Sequence, residues 1–335
     1  MSSSNRKIRW GILGCASIAL RATVPAIQAS STGELAAIAS RDVFKAREAA
    51  RRHGIPAAYG SYEELLADPT LDAVYIPLPN HLHFEWTIKA ARAGKHVLCE
   101  KPLALTAAQA QEMAAACREE GVLLAEAFMY RHHPRYDRIR EILAAGELGV
   151  IRAMRASFTF DNSADTGNVR CRKEWGGGSL YDIGCYTLNA ARYLLDGEPE
   201  AVTVQAFFSP GHGGVDMMAS GLAEFPDGVA LTFDCGMWAA SRNTIEIVGT
   251  TGTIEVPSAF VAPEGRGADF TVTVNGARRT EAAPSVNQYA VQFDDFGRAV
   301  LGREPYRFPA EDAINGMKVL EACLLSAETR AKISL

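Results

Sequence analysis

Long hydrophobic runs, clustered cysteines and an excess of positive charge are all missing from this sequence. No apolar stretch is long enough to span a membrane, and the polar residues 1–7 are unlike the start of a secretion signal. The formal net charge is −5, which gives no reason to expect nucleic acid or an anionic membrane as a partner. We therefore expect a protein of the cytoplasm that binds neither nucleic acid nor membranes.

Cysteine is present, but its pattern does not suggest pairing. Seven cysteines stand far apart without any C-x-x-C pair, at Cys15, Cys99, Cys117, Cys171, Cys185, Cys235 and Cys323. An odd and scattered set indicates reduced thiols rather than a disulfide framework. The histidine pairs His81/His83 and His132/His133 have no cysteine or carboxylate at a recognisable ligand spacing, so we expect no metal site.

The length of the chain points to two domains, because 335 residues exceed what one ordinary hydrophobic core contains. Hydrophobic residues make up 48% of the chain and charged residues 22%, as in globular proteins. These proportions exclude a disordered or fibrous protein.

The first part of the chain alternates between short apolar runs and longer segments with apolar residues at helical spacing. The runs predict strands at Ile8–Leu13, Leu35–Ala39, Ala73–Ile76, His96–Cys99 and Val122–Ala125. The intervening segments predict helices at Ile18–Gln28, Val43–His53, Tyr62–Ala67, His81–Ala93 and Thr106–Glu120. Such alternation with short connections is typical of a doubly wound parallel sheet, an α/β fold.

A turn of small residues follows the first predicted strand and leads into the first predicted helix. Gly14, Ala16 and Ala19 give it the form G-x-A-x-x-A. In a dinucleotide-binding turn the first small residue permits the tight turn, and the second lets the backbone approach a pyrophosphate. The N–H groups of Ser17 and Ile18, at the helix N-terminus, then face the phosphates. Alanine at two positions departs from the glycine pattern, so a tight turn that binds nothing is the alternative.

The end of the second predicted strand distinguishes between the two nicotinamide dinucleotides. An NAD(H) site usually places an acid there for the ribose 2′-hydroxyl, whereas the 2′-phosphate of NADP(H) needs a hydroxyl and a cation. Ser40 and Arg41 supply a hydroxyl and a cation, and Asp42 can cap the next helix. We expect NADP(H) rather than NAD(H), with a solvated Arg41 side chain as the alternative.

The loop after the strand Ala73–Ile76 contains two prolines and therefore few backbone donors. Such an extended loop can lie along the nicotinamide ribose, with Pro77 and Leu78 as contacts. Asn80 is expected to cap the following helix within this cofactor-binding loop. His83 is expected either to contact the ribose or to be an ordinary capping or surface histidine.

An acid, a base and a proline stand together at the end of the predicted strand His96–Cys99. Glu100, Lys101 and Pro102 follow the apolar residues of that strand directly. A charged pair at the end of a buried strand is costly to desolvate, and ligands of open α/β sheets bind at the carboxyl ends of the strands. We therefore predict that Lys101 is the polar centre of an active site.

Five segments of the sequence together resemble the glucose–fructose oxidoreductase / inositol dehydrogenase (Gfo/Idh/MocA) family. They are Gly11–Ala19, Ile76–His83, Glu100–Pro102, Phe128–Pro134 and Gly176–Tyr186, in the order of the family. The resemblance implies an N-terminal Rossmann domain, residues 1–127, and a C-terminal α/β domain with a large, mostly antiparallel sheet, residues 128–335. It also implies hydride transfer between a nicotinamide cofactor and a hydroxyl or carbonyl carbon, and a cis bond between Lys101 and Pro102.

The second part of the chain is rich in strand patterns. Strands are predicted at Ile151–Phe160, Ala201–Phe208, Ala219–Phe225, Ala230–Cys235, Thr244–Val248, Gly252–Val256 and Phe270–Val274, with a hairpin turn at Phe225–Val229. Helices are predicted at Pro134–Ala145, Ser179–Leu195, Val286–Val300 and Pro309–Lys332. A broad antiparallel sheet needs its exposed face covered, so we expect a homodimer or homotetramer.

The segment Gly176–Tyr186 contains the candidate chemistry of the second domain. Its three glycines indicate a flexible or closely approached loop, and Asp182 and Tyr186 share a helix face at i, i+4. The resembling family usually has histidine in place of Tyr186. Tyrosine there is typical of the branch that resembles NADP-dependent xylose dehydrogenase and dimeric dihydrodiol dehydrogenase.

We interpret Tyr186 as the general acid/base, Lys101 as its electrostatic partner and Asp182 as the acceptor of a substrate hydroxyl. An ordinary phenol is a weak base at neutral pH, but a nearby ammonium group stabilises its phenolate. The alternative is a packed helix residue with a satisfied hydroxyl. Further candidate contacts to the cofactor are Glu100, Met129, Arg131, Trp175 and Tyr289. The alternatives are a core position for Met129, sugar stacking or support of the glycine loop for Trp175, and helix surface for Tyr289 and Gln292.

The function that these patterns predict is an NADP(H)-dependent oxidoreductase acting on a small sugar, polyol or diol. Oxidation of an aldose such as xylose or glucose at its anomeric carbon is the first expectation. Dihydrodiol oxidation and reduction of a nucleotide-linked ketosugar are alternatives, and a non-catalytic NADP(H)-binding sensor or scaffold is a further one. A serine hydrolase is excluded, because residues 177–181 lack the final glycine of a nucleophile elbow and follow no strand.

Overall fold

The structure is a computed structural model that describes residues 6–262 and 267–335. The chain divides into two compact units. The first comprises the chain up to His132 together with the segment Asn287–Ile314, and the second comprises His133–Val286 together with Asn315–Leu335. The predicted division into functional domains at residues 127 and 128 stays a prediction.

The first unit contains a six-stranded parallel sheet with the strand order β3-β2-β1-β4-β5-β6. Its strands are β1 (Ile8–Leu13), β2 (Gly33–Ala39), β3 (Ala57–Tyr59), β4 (Ala73–Ile76), β5 (His96–Glu100) and β6 (Leu124–Ala127). Its first helices are α1 (Val24–Ala29), α2 (Val43–His53), α3 (Tyr62–Leu66), α4 (His83–Arg92) and α5 (Ala107–Glu119). The predicted doubly wound Rossmann-type sheet is confirmed. Strand β3 escaped prediction because its three residues are all half-buried and form no apolar run.

The second unit contains a nine-stranded sheet with the order β14-β13-β12-β11-β7-β10-β9-β8-β15. Its strands are β7 (Ile151–Asp161), β8 (Ala201–Ser209), β9 (Val215–Glu224), β10 (Ala230–Gly236), β11 (Trp238–Gly249), β12 (Gly252–Pro257), β13 (Phe270–Val274), β14 (Ala277–Glu281) and β15 (Ile333–Ser334). The pair β7–β10 is parallel and the other pairs are antiparallel, so the predicted sheet type is confirmed.

The second unit also contains two helices. Helix α6 (Pro134–Ala144) precedes β7 in the chain, and α7 (Cys185–Leu195) lies between β7 and β8. A π-helical turn, Leu180–Gly184, leads into α7. The predicted hairpin turn is confirmed, because Phe225 N donates to Val229 O at 2.8 Å between β9 and β10. Strand β14 was missed because its side chains are charged and exposed rather than apolar, and β15 because it has only two residues.

Two further helices follow, α8 (Gln288–Val300) and α9 (Ala310–Thr329). Helix α8 belongs to the first unit although it lies far along the chain. Its residues Phe293 and Phe296 pack on Trp10 of β1, with ring centroids 4.9 and 5.1 Å apart. The carboxylate of Asp294 accepts hydrogen bonds from Ser30 Oγ at 2.5 Å and Ser31 N at 2.8 Å. A helix distant in sequence therefore completes the core of the parallel sheet.

The seven cysteines are free thiols, as expected. Within residues 6–262 and 267–335, none of the helices combines the length and the apolar character needed to cross a membrane. Over the same residues, no group of three histidine, cysteine or acidic side chains is arranged to hold a metal ion.

Candidate active site

The turn after β1 is formed by Gly14, whose φ of +110° lies in a region that L side chains rarely adopt. Its N–H donates to Ala39 O at 2.9 Å. A Cβ added to Gly14 would lie 3.0 Å from Leu78 Cδ2. Ser17 and Ile18, the first residues of the helical stretch that follows, are exposed. The chain therefore has the tight turn and the accessible helix start that a pyrophosphate site requires.

The three polar residues after β2, Ser40, Arg41 and Asp42, have different roles. The carboxylate of Asp42 caps α2, accepting hydrogen bonds from Phe44 N at 3.0 Å and Lys45 N at 3.4 Å. The capping role expected for Asp42 is confirmed. Arg41 is exposed next to Tyr62: burial raises the pKa of the Tyr62 phenol, and the charge of Arg41 and a hydrogen bond with it act in the opposite direction. Since Asp42 is engaged by its own helix, Ser40 and Arg41 are the polar groups at this strand end that fit a 2′-phosphate.

His83 joins two loops of the first unit. Its side chain is fully buried, with Nε2 2.7 Å from Leu78 O and Nδ1 2.9 Å from Pro102 O. Burial lowers the pKa of His83 to about 4, although both carbonyl contacts act to raise it. His83 lies between the loop after β4 and the turn after β5. Because a neutral imidazole has a single N–H, it donates to only one of the two carbonyls. The ribose contact expected of His83 stays a prediction.

In the loop after β4, the role of Asn80 differs from the predicted one. The sequence suggested that Asn80 caps the following helix, but Asn80 opens a short 3-10 helix, Asn80–Leu82, and Leu82 occupies the N-cap position of α4. The cap prediction was therefore wrong, because the chain takes one tight turn before the α-helix begins. Pro77 and Leu78 are buried in this loop and stay predicted cofactor contacts.

Glu100 and Lys101 stand at the carboxyl end of β5, as predicted. Glu100 Oε1 accepts a hydrogen bond from Tyr75 Oη at 2.5 Å, and Glu100 Oε2 accepts one from Lys101 N at 3.3 Å. Burial raises the pKa of Tyr75, and the negative charge of Glu100 raises it further, so the phenol stays protonated and donates. The Lys101–Pro102 bond is cis, as expected. Glu100 is thus held by β4, and Lys101 follows directly from a fixed acid.

Arg131 and Met129 lie in a short helix after β6, Met129–His132, and both are buried. Arg131 Nη1 pairs with Asp312 Oδ2 at 2.5 Å, and its guanidinium carbon lies 3.8 Å from the Phe308 ring centroid. The charge of Arg131 is engaged within the first unit by an acid distant in sequence, and its expected nicotinamide contact stays a prediction. The buried position of Met129 agrees with the core alternative that the sequence left open.

Two candidate residues on α8 differ in their surroundings. Gln292 is buried, so the alternative of an exposed helix surface does not hold for it. Tyr289 is half-buried against the core of the first unit, and its N–H donates to the capping side chain of Asn287 at 3.0 Å. Tyr289 stays a predicted cofactor contact.

The glycine loop of the second unit is closely packed rather than flexible. Gly177 N donates to Arg172 O and Gly178 N donates to Arg170 O, each at 2.9 Å. A Cβ on Gly177 would overlap Arg170 O, and a Cβ on Gly178 would overlap Asp216 Oδ1. Glycine is therefore required at both positions because other protein groups occupy the space of a side chain. Trp175 precedes the loop with about a third of its surface exposed and stays a predicted cofactor contact.

Asp216 of β9 supports the start of the helical segment from inside the protein. Its side chain is 2% exposed and accepts hydrogen bonds from Ser179 Oγ at 2.8 Å and Leu180 N at 2.7 Å. Burial raises the pKa of Asp216 to about 6, and these hydrogen bonds partly offset the rise. Sequence reasoning missed Asp216; its available signal was a lone acid in an otherwise apolar run, Val215–Ala219.

Asp182 is paired with an arginine that the sequence did not single out. Arg170 Nε donates to Asp182 Oδ2 at 2.7 Å, with the Arg170 side chain 40% and the Asp182 side chain 13% exposed. The charge of Asp182 raises the pKa of Arg170 most, burial opposes this, and the nearby Tyr186 phenol adds to the rise. Arg170 lies in the loop 161–175, where no local pattern marks it. The carboxylate of Asp182 thus acts as one half of an ion pair.

Tyr186 of α7 is buried against two aromatic rings from other segments of the second unit. Its ring centroid lies 5.3 Å from that of Phe158 and 5.5 Å from that of Phe260. The π-helical turn Leu180–Gly184 contains Asp182, and Tyr186 follows in the first turn of α7. The second unit therefore brings together an acid, a cation and a phenol, of which the sequence predicted the acid and the phenol.

Comparisons with known proteins agree with this architecture. Residues 8–128 match the family model described as the oxidoreductase family with an NAD-binding Rossmann fold. Residues 136–255 match the GFO/IDH/MocA C-terminal domain.

Several proteins are similar over most of the chain. A D-xylose 1-dehydrogenase (NADP(+)) of Haloferax volcanii is 39% identical, covering 97% of this chain and 99% of its own. A trans-1,2-dihydrobenzene-1,2-diol dehydrogenase of Xenopus tropicalis is 36% identical, covering 81% and 80%. A 3-ketoreductase from Actinomadura kijaniata, solved in complex with NADP and TDP-benzene, has a TM-score of 0.90 and 35% identity, covering 96% and 98%. The chain therefore belongs to the GFO/IDH/MocA family and is an NAD(P)-dependent oxidoreductase that acts on CH–OH groups.

Proposed function

We propose that this protein is an NADP(H)-dependent sugar dehydrogenase that oxidises the anomeric carbon of an aldose such as xylose or glucose. The observation that carries the proposal is the Arg170–Asp182 ion pair, whose acid lies about one helical turn before Tyr186 in the same helical segment. An acid with its cation, close in the helix to a phenol, can bind a polyhydroxylated substrate and move the proton of one hydroxyl. The similarity to a D-xylose 1-dehydrogenase over nearly the whole chain supports the same substrate class.

In this proposal Tyr186 Oη is the general acid/base, and Lys101 stays its predicted electrostatic partner. The phenolate removes the proton of the reacting hydroxyl, while Asp182 accepts a hydrogen bond from another hydroxyl and orients the sugar. A bound oxidised nicotinamide would supply the acceptor for the hydride of the carbon that carries this hydroxyl. Without the phenolate, the substrate proton has no acceptor and the carbon cannot release hydride.

The preference for NADP(H) over NAD(H) rests on the end of β2. Asp42 is engaged in capping α2, whereas Arg41 is exposed and follows the hydroxyl of Ser40. A hydroxyl and a guanidinium bind a 2′-phosphate, and an acid at the ribose would repel it. The NADP bound in the similar 3-ketoreductase supports the same preference.

Dihydrodiol oxidation and reduction of a nucleotide-linked ketosugar are the alternatives, since relatives with these names share the fold. A non-catalytic NADP(H)-binding protein is the alternative of another class. The homodimer or homotetramer and the cytoplasmic location also stay predictions.

The replacement Tyr186→Phe tests the proposal. Turnover should fall at least about a hundredfold, since general acid/base catalysis contributes roughly that much or more. The affinity for NADPH should stay within about twofold, because the phenol takes no part in holding the cofactor. The measurement is the absorbance change of NADPH with a panel of aldoses, diols and ketosugars, in both directions and with NADP and NAD.

Tyr193→Phe is the matched control, because it removes a phenol hydroxyl from the same helix, beside Arg140 rather than beside Asp182. It should keep the wild-type rate. A Tyr186→Phe variant with the wild-type rate would contradict the proposed acid/base. No activity of the wild type with any member of the panel would favour the non-catalytic alternative.

A further inference from the structure

The Arg170–Asp182 ion pair offers donors and an acceptor side by side at a fixed place. Arg170 is held through its backbone: its carbonyl accepts from Gly178 N at 2.9 Å, and its N–H donates to Asn168 Oδ1 at 3.1 Å. Gly177 packs so closely on the Arg170 carbonyl that a larger residue would displace it. The guanidinium therefore projects from a rigid backbone toward Asp182, and its direction is set before a ligand arrives.

We propose that the Arg170–Asp182 pair recognises two adjacent hydroxyl groups of an uncharged substrate, and that Arg170 is thus a specificity-determining residue. The inference rests on the proposed function and deepens it, because it names vicinal diols as the substrate class. Sugars and dihydrodiols share this feature.

The hydrogen-bonding capacity of the pair fits a vicinal diol. A guanidinium has five N–H donors and no acceptor, and an ionised carboxylate only accepts. Arg170 uses Nε on Asp182, and its Nη1 lies 3.4 Å from Asn168 Oδ1. With 40% of the side chain exposed, further N–H groups can reach a ligand. One hydroxyl of a diol donates to the carboxylate while its neighbour accepts from the guanidinium.

The charge of the pair disfavours a phosphorylated or nucleotide-linked substrate. The positive charge of Arg170 is balanced by Asp182, and Lys173 on the same loop pairs with Glu328 at 3.0 Å. An ion pair without net charge attracts a diphosphate less than an isolated cation does. Asp182 lies four residues before Tyr186 in the same helical segment, so a diol bound by the pair is held toward the proposed proton acceptor.

The test compares substrates that differ by one hydroxyl. Wild-type kcat/KM for glucose should exceed that for 2-deoxyglucose by roughly tenfold to a hundredfold, which is the effect of one charge-assisted hydrogen bond. In Arg170→Gln this preference should fall to about twofold or less, mainly through a higher KM for glucose, while the Kd for NADPH stays unchanged. Arg170→Lys, which keeps the charge but not the fork of donors, should retain part of the preference.

Arg172→Gln is the matched control, because Arg172 is exposed on the same loop. It should keep both the KM and the preference of the wild type. Thermal unfolding and NADPH binding of each variant show whether it is folded. If Arg170→Gln is unfolded, Arg170→Lys decides: a preference identical to the wild type overturns the proposal, and a reduced preference supports it.

Three results would overturn the inference. One is a folded Arg170→Gln variant with the wild-type preference. Another is inhibition by thymidine diphosphate at micromolar concentration that is lost in Arg170→Gln, since this would assign the arginine to a phosphate. The last is a wild type without activity on any aldose or diol, which contradicts the proposed function itself and removes this inference with it.

Discussion

In each of the two units a glycine turn leads into a helical segment. The two turns differ in what occupies the space that a side chain would take at the glycine. In the first unit, Gly14 lets the backbone turn after β1, and the exposed Ser17 and Ile18 lead into the helix. In the second unit, Gly177 and Gly178 lie against a carbonyl and a carboxylate of the same unit.

The contrast is clearest at the helix starts. The positive end of a helix favours a negative charge, whether the charge comes from a ligand or from the protein. In the second unit the carboxylate of Asp216 accepts the hydrogen bond of Leu180 N at 2.7 Å and so provides the negative charge internally. In the first unit the exposed helix start is the predicted place of a pyrophosphate. A glycine turn before a helix therefore serves packing in the second unit, while ligand binding stays the prediction for the first.

Among the substitutions that test this comparison, Gly178→Ala should have the largest effect on the stability of the protein. An added Cβ would overlap Asp216 Oδ1 and would also have to accept a φ of +112°. Overpacking and the unfavourable φ together should lower the free energy of unfolding by roughly 3–5 kcal/mol, as measured by urea denaturation. Gly54→Ala is the matched control, because Gly54 has a φ of +66° with no other atom within 4 Å of an added Cβ.

The control should lose only about 1–2 kcal/mol, the effect of φ alone. Equal losses in the two variants would mean that the Asp216 side chain moves aside easily. The glycine loop would then be flexible, contrary to the packing described.

Asp216→Asn should change how stability depends on pH. The pKa of Asp216 is about 6 in the folded protein, against an ordinary value of 3.8, so the folded state holds a proton that the unfolded state releases between these values. The wild type should therefore lose up to roughly 2–3 kcal/mol from this group between about pH 4 and pH 7, whereas an asparagine cannot titrate. The measurement is the difference in unfolding free energy between variant and wild type as a function of pH.

This difference should shift in favour of the variant as the pH rises. A pH-independent difference would show that the burial of Asp216 does not matter energetically. The carboxylate of Asp216 would then not distinguish the helix start of the second unit from that of the first.

Gly14→Ala should have the smallest effect on stability of these substitutions. Its main effect should be on the binding of NADPH. The added Cβ would meet the end of the flexible Leu78 side chain at 3.0 Å, so we expect a loss of about 1–2 kcal/mol, mostly from the φ of +110°. The Kd for NADPH, measured by fluorescence titration, should rise by about tenfold or more, because the backbone no longer approaches the pyrophosphate. An unchanged Kd would remove the functional difference between the two turns.

Local patterns were sufficient for much of the fold. The strands β1 and β4 and the helix α2 have the predicted bounds, because their apolar residues recur with the period of their own element. The elements that escaped, β3, β14 and β15, are short, half-buried or charged, so no such period exists in them. Prediction from the sequence therefore worked where burial is regular and failed where it is not.

The candidate site was predicted only in part. Asp182, Tyr186 and Lys101 were identified because they stand in recognisable segments of the chain. Arg170 and Asp216 were not, since each acts on a residue elsewhere in the chain and has no pattern of its own. The protein partners of two buried side chains, His83 and Arg131, were not foreseen either, because a sequence does not show which neighbours a polar group will find.

By itself, the sequence determined the alternation of strands and helices, the small-residue turn at Gly14, the capping role of Asp42 and the family. These features depend on residues close together in the chain, whose spacing alone sets their geometry. Only the tertiary structure decided which groups meet across the chain. It joined Arg170 to Asp182, placed Asp216 beneath the helix start and packed α8 on β1. The physical reason is that such pairs form when distant segments are brought together by burial of apolar surface, which leaves no local signal in the sequence.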